Sequence, residues 1–437
     1  MAQDILDDPH SPFEGPEKLL EIWFKPSAND VPDAANASAD SKIGLRKVDR
    51  KIWEEMLDIV KCEVLSVVNG TEMDAYLLSE SSFFVFPHRL ILKTCGTTLN
   101  LYGLPRILEI AATEANLPSV HRCFYSRKSF MFPERQLGPH RDWKQEVEYL
   151  DNIFDNGSAY TVGKVNGDHW LLYLTNPEDG SSETAPSSPI DTKDDDLPDY
   201  TIEILMSDLA APARDRFFSS LSPADDPHEH GTALSETLGI SEIFPSHLTT
   251  IDAYSFSPCG YSANALVKWG GELSHLSTSS ESLHDDHDGA TNGTASLDDF
   301  REGYYTIHVT PEAGWSYASF ECNIPSHMSE NTHTVPGLIS LVQRVVSIFK
   351  PGRLSLTLFI SIKDEVEPGE SVEAAQKAFK LALTDPGLVH GFSCAKVNGG
   401  LAQGISGTRE RAYKRTDKIN YEFGGYELAF ASFELKA

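Results

Sequence analysis

The sequence predicts an α+β protein in which antiparallel β-sheets are faced by helices. Stretches with period-two alternation, which is typical of strands, alternate with stretches whose apolar residues recur at helical spacing. The order strand–strand–helix–strand occurs in both halves of the chain and differs from the strand–helix–strand order of parallel sheets. The apolar fraction of 40%, with 22 Phe, 15 Tyr and 6 Trp among 437 residues, suffices for a large core.

The first elements follow from local patterns. Residues 16–24 begin with proline and continue with apolar side chains, which predicts a helix with proline in its first turn. Residues 82–94 predict a hairpin that turns at Pro87 and His88. Residues 142–154 place large apolar side chains on one helical stripe and predict a helix.

The second half contains the same kinds of element. Residues 304–310 and 316–321 are predicted as strands. Residues 336–349 carry apolar side chains at helical spacing, and a Lys-Pro-Gly sequence ends this predicted helix. Residues 354–362 alternate with period two and predict a further strand.

Acidic, low-complexity segments interrupt these elements. Residues 178–199 and 272–302 each hold eight acidic residues and one basic residue, a net charge of −7. Neither has apolar periodicity, so flexible insertions are predicted at about 178–198 and 272–302. A third insertion is predicted at about 222–233, and the first dozen residues are predicted to be loose.

The net charge limits the classes of partner that the protein can bind, and the cysteines indicate the cellular compartment in which it resides. The formal net charge of −29 argues against nucleic acid or a membrane surface as a partner. The six cysteines are widely spaced without a Cys-x-x-Cys pair, which favours free thiols in a reducing compartment. The sequence shows neither a signal peptide nor an apolar run of membrane-spanning length, so we expect a cytosolic protein.

Two motifs that suggest a bound cofactor are weak. His284 and His287 lie among carboxylates at ligand-like spacing, but a solvated charge run explains this acidic insertion better than a metal site does. The glycine-rich residues 399–407 follow no strand at dinucleotide-binding spacing and predict a loop.

The most informative stretch has two parts, Leu-Ser-Glu-Ser-Ser at residues 78–82 and Lys-Thr-Cys-Gly-Thr-Thr at residues 93–98. By composition alone, the first part is a polar turn between strands and the cysteine is a buried structural residue. Together, the two parts resemble the eukaryotic S-adenosylmethionine decarboxylase family, whose members cut their own chain at a Glu-Ser bond. Further blocks that resemble the family, in its order, lie at residues 13–18, 124–128, 139–141, 199–207, 258–262, 305–312 and 319–321.

The resemblance implies a four-layer αββα sandwich, in which two facing antiparallel sheets are flanked by helices and the active site lies at one sheet edge. It implies a single domain over residues 1–437 that is cut into a β chain of residues 1–80 and an α chain of residues 81–437. Two departures from the family pattern occur without loss of a reactive group. Pro16 occupies a variable position, and Ala263 and Ala265 flank an asparagine where animal members have Met-Asn-Gly. The length and the insertions indicate a fungal source.

The chemistry of the family requires an electron sink, because loss of CO₂ leaves a carbanion that ordinary side chains cannot stabilise. The resemblance implies a pyruvoyl group made from Ser81 by cleavage after Glu80, with no metal and no pyridoxal phosphate. Ser262 would stabilise the oxyanion of cleavage, and His308 would remove the α-proton of Ser81. The pyruvoyl group would form a Schiff base with the substrate amine, and Cys95 would reprotonate the substrate after CO₂ leaves.

S-adenosylmethionine is a sulfonium cation with an adenine ring, for which aromatic rings and carboxylates are suitable partners. By resemblance, Phe13 and Phe256 stack on the adenine and Glu312 binds the ribose. The other residues that the resemblance places near the substrate are Leu78, Glu80, Glu14 and Glu17, the last two without a fixed role.

A further set of residues matches the site at which members of the family respond to putrescine. The resemblance therefore implies that putrescine activates processing or turnover. A diamine dication needs carboxylates at its two ends and aromatic walls between them. A network of buried paired charges without a ligand is the alternative explanation. The set consists of Glu21, Lys93, Phe124, Asp199, Thr201, Glu203, Glu321 and Phe359.

The resemblance therefore implies a carboxy-lyase whose product is the aminopropyl donor for spermidine and spermine. The alternative is a catalytically inactive regulatory paralogue that activates a true decarboxylase. The presence of Ser81, Cys95, Ser262 and His308 favours the enzyme. A homodimer of processed protomers is a further expectation. A purely structural acidic protein would not explain the ordered blocks.

Overall fold

The computed structural model describes residues 12–36, 42–175, 199–222, 224–270, 300–326, 335–362, 370–384 and 412–436. Its framework is two eight-stranded sheets in which every neighbouring pair of strands is antiparallel. In spatial order, the first sheet consists of β2 (Val64–Asn69), β3 (Asp74–Leu78), β4 (Ser81–Val85), β5 (Arg89–Thr94), β1 (Lys18–Trp23), β6 (Arg122–Lys128), β8 (His169–Thr175) and β7 (Gly157–Gly163).

The second sheet repeats this arrangement. In spatial order it consists of β10 (Thr249–Ser255), β11 (Tyr261–Trp269), β12 (Arg301–Thr310), β13 (Tyr317–Cys322), β9 (Tyr200–Ser207), β14 (Arg353–Ser361), β16 (Tyr426–Leu435) and β15 (Tyr413–Phe423). The helices are α1 (Arg50–Val60), α2 (Leu104–Glu114), α3 (Trp143–Asp151), α4 (Ala211–Arg214), α5 (Pro227–Leu238), α6 (Leu338–Phe349) and α7 (Glu370–Thr384).

The sheets face each other and the helices cover their outer faces. Phe84 of β4 stacks on Tyr304 of β12 across the interface, with ring centroids 4.1 Å apart. On the outer side of the first sheet, Trp53 of α1 shares a buried core with the strands, as α2 and α3 do. On the outer side of the second sheet, Leu341 of α6 and Phe379 of α7 do the same. The four-layer αββα sandwich that the family resemblance implies is therefore confirmed.

Most predicted elements are confirmed, and one is wrong. Helices α3 and α6, strands β12, β13 and β14, and the β4–β5 hairpin lie where the patterns predict them. The helix predicted over residues 16–24 is instead strand β1. This strand is central in its sheet and is covered on both faces, with Leu20 toward the helices and Leu19 toward the second sheet. A strand buried on both faces loses the polar alternation that identifies strands, so its apolar run resembles a helix.

The predicted insertions are too wide at two places. Residues 227–233 begin helix α5, where Asp226 caps the helix by accepting from the amide of His228 and Pro227 occupies the first turn. This capping sequence has the composition of a loop. Arg301 and Glu302 belong to β12 rather than to the second acidic segment. Residues 222, 224–226 and 300 lie outside helices and strands, as predicted. Residues 178–198, 223 and 272–299, which include His284 and His287, lie outside the described residues, as do residues 399–407 and the first eleven residues.

None of the helices in the described ranges has the length and apolar composition needed to cross a bilayer.

Candidate active site

The turn between β3 and β4 holds the backbone in an unusual conformation. Ser79 and Glu80 form a two-residue connection, and Leu78 pairs with Ser81 across it. Ser81 has φ of 134°, a region that residues with a side chain rarely adopt. Its Oγ is buried and has no hydrogen-bond partner among the described residues. Strain and an unpartnered buried hydroxyl in one residue are typical of a functional position.

The carbonyl group of Glu80, which forms the peptide bond to Ser81, is polarised by Cys95. The Cys95 amide donates to the Glu80 carbonyl oxygen at 3.0 Å, and Cys95 Sγ lies 3.3 Å from the same oxygen. Cys95 follows β5, which is the neighbour of β4, so adjacent strands bring these groups together. A donor that is already in place on a carbonyl oxygen stabilises the oxyanion that forms when the carbonyl carbon is attacked.

His308 and Ser262 lie opposite each other on β12 and β11 of the second sheet. His308 Nδ1 is 2.9 Å from Ser262 Oγ, and His308 Nε2 is 3.0 Å from Ser82 Oγ. Ser262 therefore contacts His308, whereas the donor on the Glu80 carbonyl is Cys95. Burial, together with the positive charge of Lys93, holds the pKa of His308 well below its usual value, so the ring is neutral at pH 7.

Sequence reasoning missed three polar residues that complete this cluster. Ser82 Oγ donates to Asn264 Oδ1 at 2.6 Å, and Thr306 Oγ1 lies 2.8 Å from His308 Nε2. The sequence carries a signal for them, because Asn264 and Thr306 each stand between two apolar neighbours in a strand, and Ser82 follows Ser81 in the informative stretch. Hydrogen bonds from the facing sheet explain why these positions are polar.

A cavity of about 190 Å³ opens beside these groups, and we call it the active-site cavity. It lies between strand ends of the two sheets: interior strands of both sheets line it, and so does the connection between edge strand β10 and β11, so the expected site at a sheet edge holds for the second sheet only. The predicted residues that line it are Phe13, Glu80, Ser81, Cys95, Phe256, Ser262, His308 and Glu312.

Three predicted residues do not line the active-site cavity. The side chain of Leu78 is buried in the core beneath the first sheet. The Glu14 carboxylate accepts from the backbone amides of Met131 and Phe132 at 2.8 and 2.7 Å, so it anchors that loop. Glu17 accepts from Ser319 and from the Tyr317 hydroxyl, and Tyr317 itself lines the cavity.

Burial dominates the ionisation of the groups at the turn. It raises the pKa of Glu80 to about 7, against the opposing charge of Lys18. It also raises the pKa of the Cys95 thiol well above the usual value, and the nearby Glu80 carboxylate adds to this rise. Cys95 is therefore a protonated thiol at neutral pH, which is the form that can donate a proton.

A second cavity, of about 60 Å³, lies between the central strands of the two sheets, and we call it the acidic cavity. Lys93 Nζ lies behind it, 2.8 Å from Glu321 and 4.0 Å from Glu203. The other predicted residues line it, so the structure brings the whole predicted set together. The predicted residues that line it are Glu21, Phe124, Asp199, Thr201, Glu203, Glu321 and Phe359.

Sequence reasoning missed Arg89 and Tyr426, which also line the acidic cavity. Arg89 Nη1 pairs with Glu21 Oε1 at 2.9 Å, and the Tyr426 hydroxyl donates to Asp199 at 2.9 Å. Arg89 follows the Pro87-His88 turn and lies outside the blocks that carried the resemblance. Two cations and four carboxylates at this cavity leave an excess of negative charge, which suits a cationic ligand.

Comparisons with known proteins identify the family to which the chain belongs. A family model described as adenosylmethionine decarboxylase matches residues 10–434, and the chain therefore belongs to that family. It is 35% identical to an S-adenosylmethionine decarboxylase proenzyme of Xenopus laevis over 422 residues, 96% of this chain and 95% of that protein. It is 34% identical to the proenzyme of the same name from Saccharomyces cerevisiae over 372 residues, 79% of this chain and 82% of that protein. A solved structure titled as a Trypanosoma brucei AdoMetDC-delta26 monomer aligns with a TM-score of 0.45 and 20% identity, covering 81% of this chain and 99% of that one.

Among the described residues, no group of three or more His, Cys, Asp or Glu side chains is arranged to hold a metal ion.

Proposed function

We propose that the chain is an S-adenosylmethionine decarboxylase that makes its own pyruvoyl group by cutting the bond between Glu80 and Ser81. The observation that carries this proposal is the strained Ser81, whose unpartnered Oγ adjoins a carbonyl that Cys95 already polarises. The relatives named above are proenzymes, which supports a chain that is processed before it acts. We also propose a cytosolic location, which suits the free thiols of the five described cysteines.

Processing begins when Ser81 Oγ attacks the carbonyl carbon of Glu80. The C–N bond breaks, the acyl group moves to Oγ as an ester, and the freed nitrogen takes up the hydroxyl proton. The Cys95 amide stabilises the oxyanion of this step. Loss of the strained peptide geometry at Ser81 favours the shift.

The second step removes the α-proton of Ser81 and breaks the bond from Cβ to the ester oxygen. The electron pair of the broken bond leaves with Glu80, which becomes the carboxylate end of the shorter chain. Neutral His308 is the base, oriented by Ser262 at Nδ1 and by Ser82 and Thr306 at Nε2. The dehydroalanine left at position 81 takes up water and releases ammonia, which leaves a pyruvoyl group.

The active-site cavity suits this group, because Ser81 lines a space of about 190 Å³ and its Oγ has no competing partner among the described residues. Once formed, a pyruvoyl group supplies a carbonyl that condenses with an amine and accepts electrons as CO₂ leaves. The residues of the chain bind and orient the substrate around it. Phe13 and Phe256 offer ring faces to the adenine and sulfonium, and Glu312 offers acceptors to the ribose hydroxyls. The protonated Cys95 donates the proton that ends the reaction.

Release of CO₂ from S-adenosylmethionine labelled in its carboxyl carbon tests this function. The purified chain is expected to release label and to form a product that donates an aminopropyl group to putrescine when a transferase is added. Cys95→Ala is expected to be processed but to release label at least about 100-fold more slowly, because its proton donor is missing. A chain that is cut but releases no label, and that instead activates a related decarboxylase, would favour the regulatory alternative.

We propose that the acidic cavity binds putrescine and that binding promotes processing or turnover. The cavity supplies carboxylates from β1, β9 and β13 and ring faces from Phe124, Phe359 and Tyr426. A dication between these groups would neutralise buried negative charge that Lys93 and Arg89 leave uncompensated. A purely structural charge network would not respond to a diamine.

Glu203→Gln is expected to weaken the putrescine response at least about tenfold, since it removes one charge that faces the dication. Burial and the neighbouring carboxylates raise the pKa of Glu203 to about 7. The carboxylate form of Glu203 is therefore gained as pH rises through neutrality, and the half-saturating putrescine concentration is expected to fall between about pH 6 and pH 8.

Both predictions are measured as activity against putrescine concentration at each pH. Glu373→Gln, an acidic residue of α7 outside the cavity, is the control. A wild-type response that does not change with pH contradicts this account.

A further inference from the structure

Lys18 of β1 is fully buried behind the active-site cavity, and no carboxylate of the described residues forms an ion pair with it. Its Nζ donates to the Gly96 carbonyl oxygen at 3.0 Å and lies 3.4 Å from Gln136 Oε1. Nζ also lies 5.4 Å from the centre of the Phe130 ring, which the guanidinium of Arg127 approaches at 4.0 Å. The contacts of this ammonium group are therefore neutral.

Two other buried lysines do have carboxylate partners. Lys93 Nζ lies 2.8 Å from Glu321, and Lys128 Nζ lies 3.4 Å from Asp168. An ammonium group buried without a counter-charge destabilises a fold. Burial lowers the pKa of Lys18 to about 8, which still leaves it mostly charged at pH 7. A buried ammonium group without a direct ion-pair partner, bound to the segment that carries a thiol, is the arrangement expected of a functional residue.

Lys18 is bound to the segment that carries Cys95. The carbonyl that it contacts belongs to Gly96, the next residue, whose φ of +61° sets the turn after β5. This turn is tight against the cleavage site, because a Cβ at Gly96 would lie 3.2 Å from Glu80 Oε2. Lys18 therefore fixes the backbone on which Cys95 faces the Glu80 carbonyl.

The charges around the thiol give Lys18 a second role. Burial, then Glu80, Glu17 and Cys62, raise the pKa of Cys95, and Lys18 is the neighbouring charge that opposes them. Against the lowering effect of burial, the pKa of Lys18 is raised most by Cys95 and then, more weakly, by acidic groups on other elements. Those groups are Glu146 of α3 and Glu14 of the segment before β1.

We propose that Lys18 is a positioning residue for Cys95, holding the Cys95–Gly96 turn and stabilising the negative charge left on the sulfur when the thiol gives up its proton. In that step the S–H bond breaks, the proton goes to the substrate carbon and the electron pair stays on sulfur. The identity of the proton acceptor and the cleavage after Glu80 rest on the proposed function, whereas the contacts of Lys18 do not. Cleavage after Glu80 adds a new carboxylate beside Cys95, which increases the need for this cation.

The test measures thiol reactivity and needs no substrate. Full-length protein is treated with iodoacetamide at several pH values, and alkylation of Cys95 is followed by mass spectrometry of its peptide. The variant Lys18→Met is expected to slow this alkylation about tenfold at a given pH, since a rise of one pKa unit reduces the thiolate fraction tenfold. The conservative Lys18→Arg keeps the charge and is expected to stay within about threefold of the wild type.

Stability separates this role from a structural one. Lys18→Met removes an unpaired buried charge, and Gln136 Nε2 still donates to the Gly96 carbonyl at 3.2 Å. Its unfolding temperature is therefore expected to equal or exceed that of the wild type. Lys128→Met, the matched control, removes a buried lysine whose partner is Asp168 and should leave Cys95 alkylation unchanged.

The alkylation of Cys95 is also measured in chains that carry Ser81→Ala. These chains stay uncut, so the effect of Lys18→Met on Cys95 is separated from any effect of cleavage. Slower Cys95 alkylation in a folded Lys18→Met variant supports the proposal even if the chain has no decarboxylase activity. Unchanged alkylation overturns the proposal even if the chain is an active decarboxylase. Failure of both Lys18→Met and Lys18→Gln to fold also overturns it, because Lys18 would then be required for the fold.

Discussion

Replacing Ser81 with alanine is expected to leave the chain as one uncut polypeptide with no measurable release of CO₂. The hydroxyl that attacks the Glu80 carbonyl is lost, and no other described hydroxyl occupies the end of the strained turn. The loss is absolute rather than gradual, because the electron sink is never made. Denaturing electrophoresis after long incubation, with and without putrescine, gives the measurement.

Ser79→Ala is the matched control for this prediction. Ser79 lies in the same two-residue connection, and its Oγ accepts from the Glu63 amide at 3.0 Å. This variant should be cut at the wild-type site at a similar rate. Cutting of Ser81→Ala after residue 80 would show that another group performs the attack, and the proposed mechanism would then be wrong.

Replacing His308 with alanine is expected to block processing after the first step. The acyl shift does not need the imidazole, but removal of the Ser81 α-proton does, so an ester at position 81 should accumulate. Loss of a general base slows a step by about 10²–10⁴-fold. Hydroxylamine cleaves esters faster than amides, so it should cut the variant after Glu80 and leave serine at the new N-terminus.

His228→Ala is the control for this second prediction. This half-buried histidine also lies beside polar groups, with Nδ1 at 3.3 Å from Asp252, but it lies outside the active-site cavity. It should be processed normally. A His308→Ala chain that forms a pyruvoyl terminus at the wild-type rate would assign proton removal to another residue.

Antiparallel sheets faced by helices could be predicted from the sequence because several strands and helices carry their own periodicity, whereas the four-layer arrangement follows from the family resemblance. Strand β14 and helix α6 are recognisable from their apolar spacing alone. Strand β1 is not, because its covering on both faces is a property of the assembled sandwich. Helix α5 could not be recognised because its first residues, Asp226 and Pro227, have the composition of a loop although they cap and begin the helix.

The reactive residues of the candidate site could be predicted from the blocks that resemble the family, whereas their supporting contacts could not. Ser82, Asn264 and Thr306 become visible only when β4 faces β11 and β12. Lys18 likewise lies within a resembling block, but its lack of a carboxylate partner is a property of three-dimensional packing. Sequence identifies reactive groups more readily than the neighbours that set their charge.

Mass spectrometry of the purified full-length chain under denaturing conditions tests the central claim most directly. The account predicts two polypeptides, one ending in a free carboxylate at Glu80 and one beginning at position 81 with a pyruvoyl group. The larger product should react with a hydrazide at its N-terminus and resist stepwise sequencing. A single intact chain in the presence of putrescine, or a large product that begins with an unmodified serine, would contradict the account.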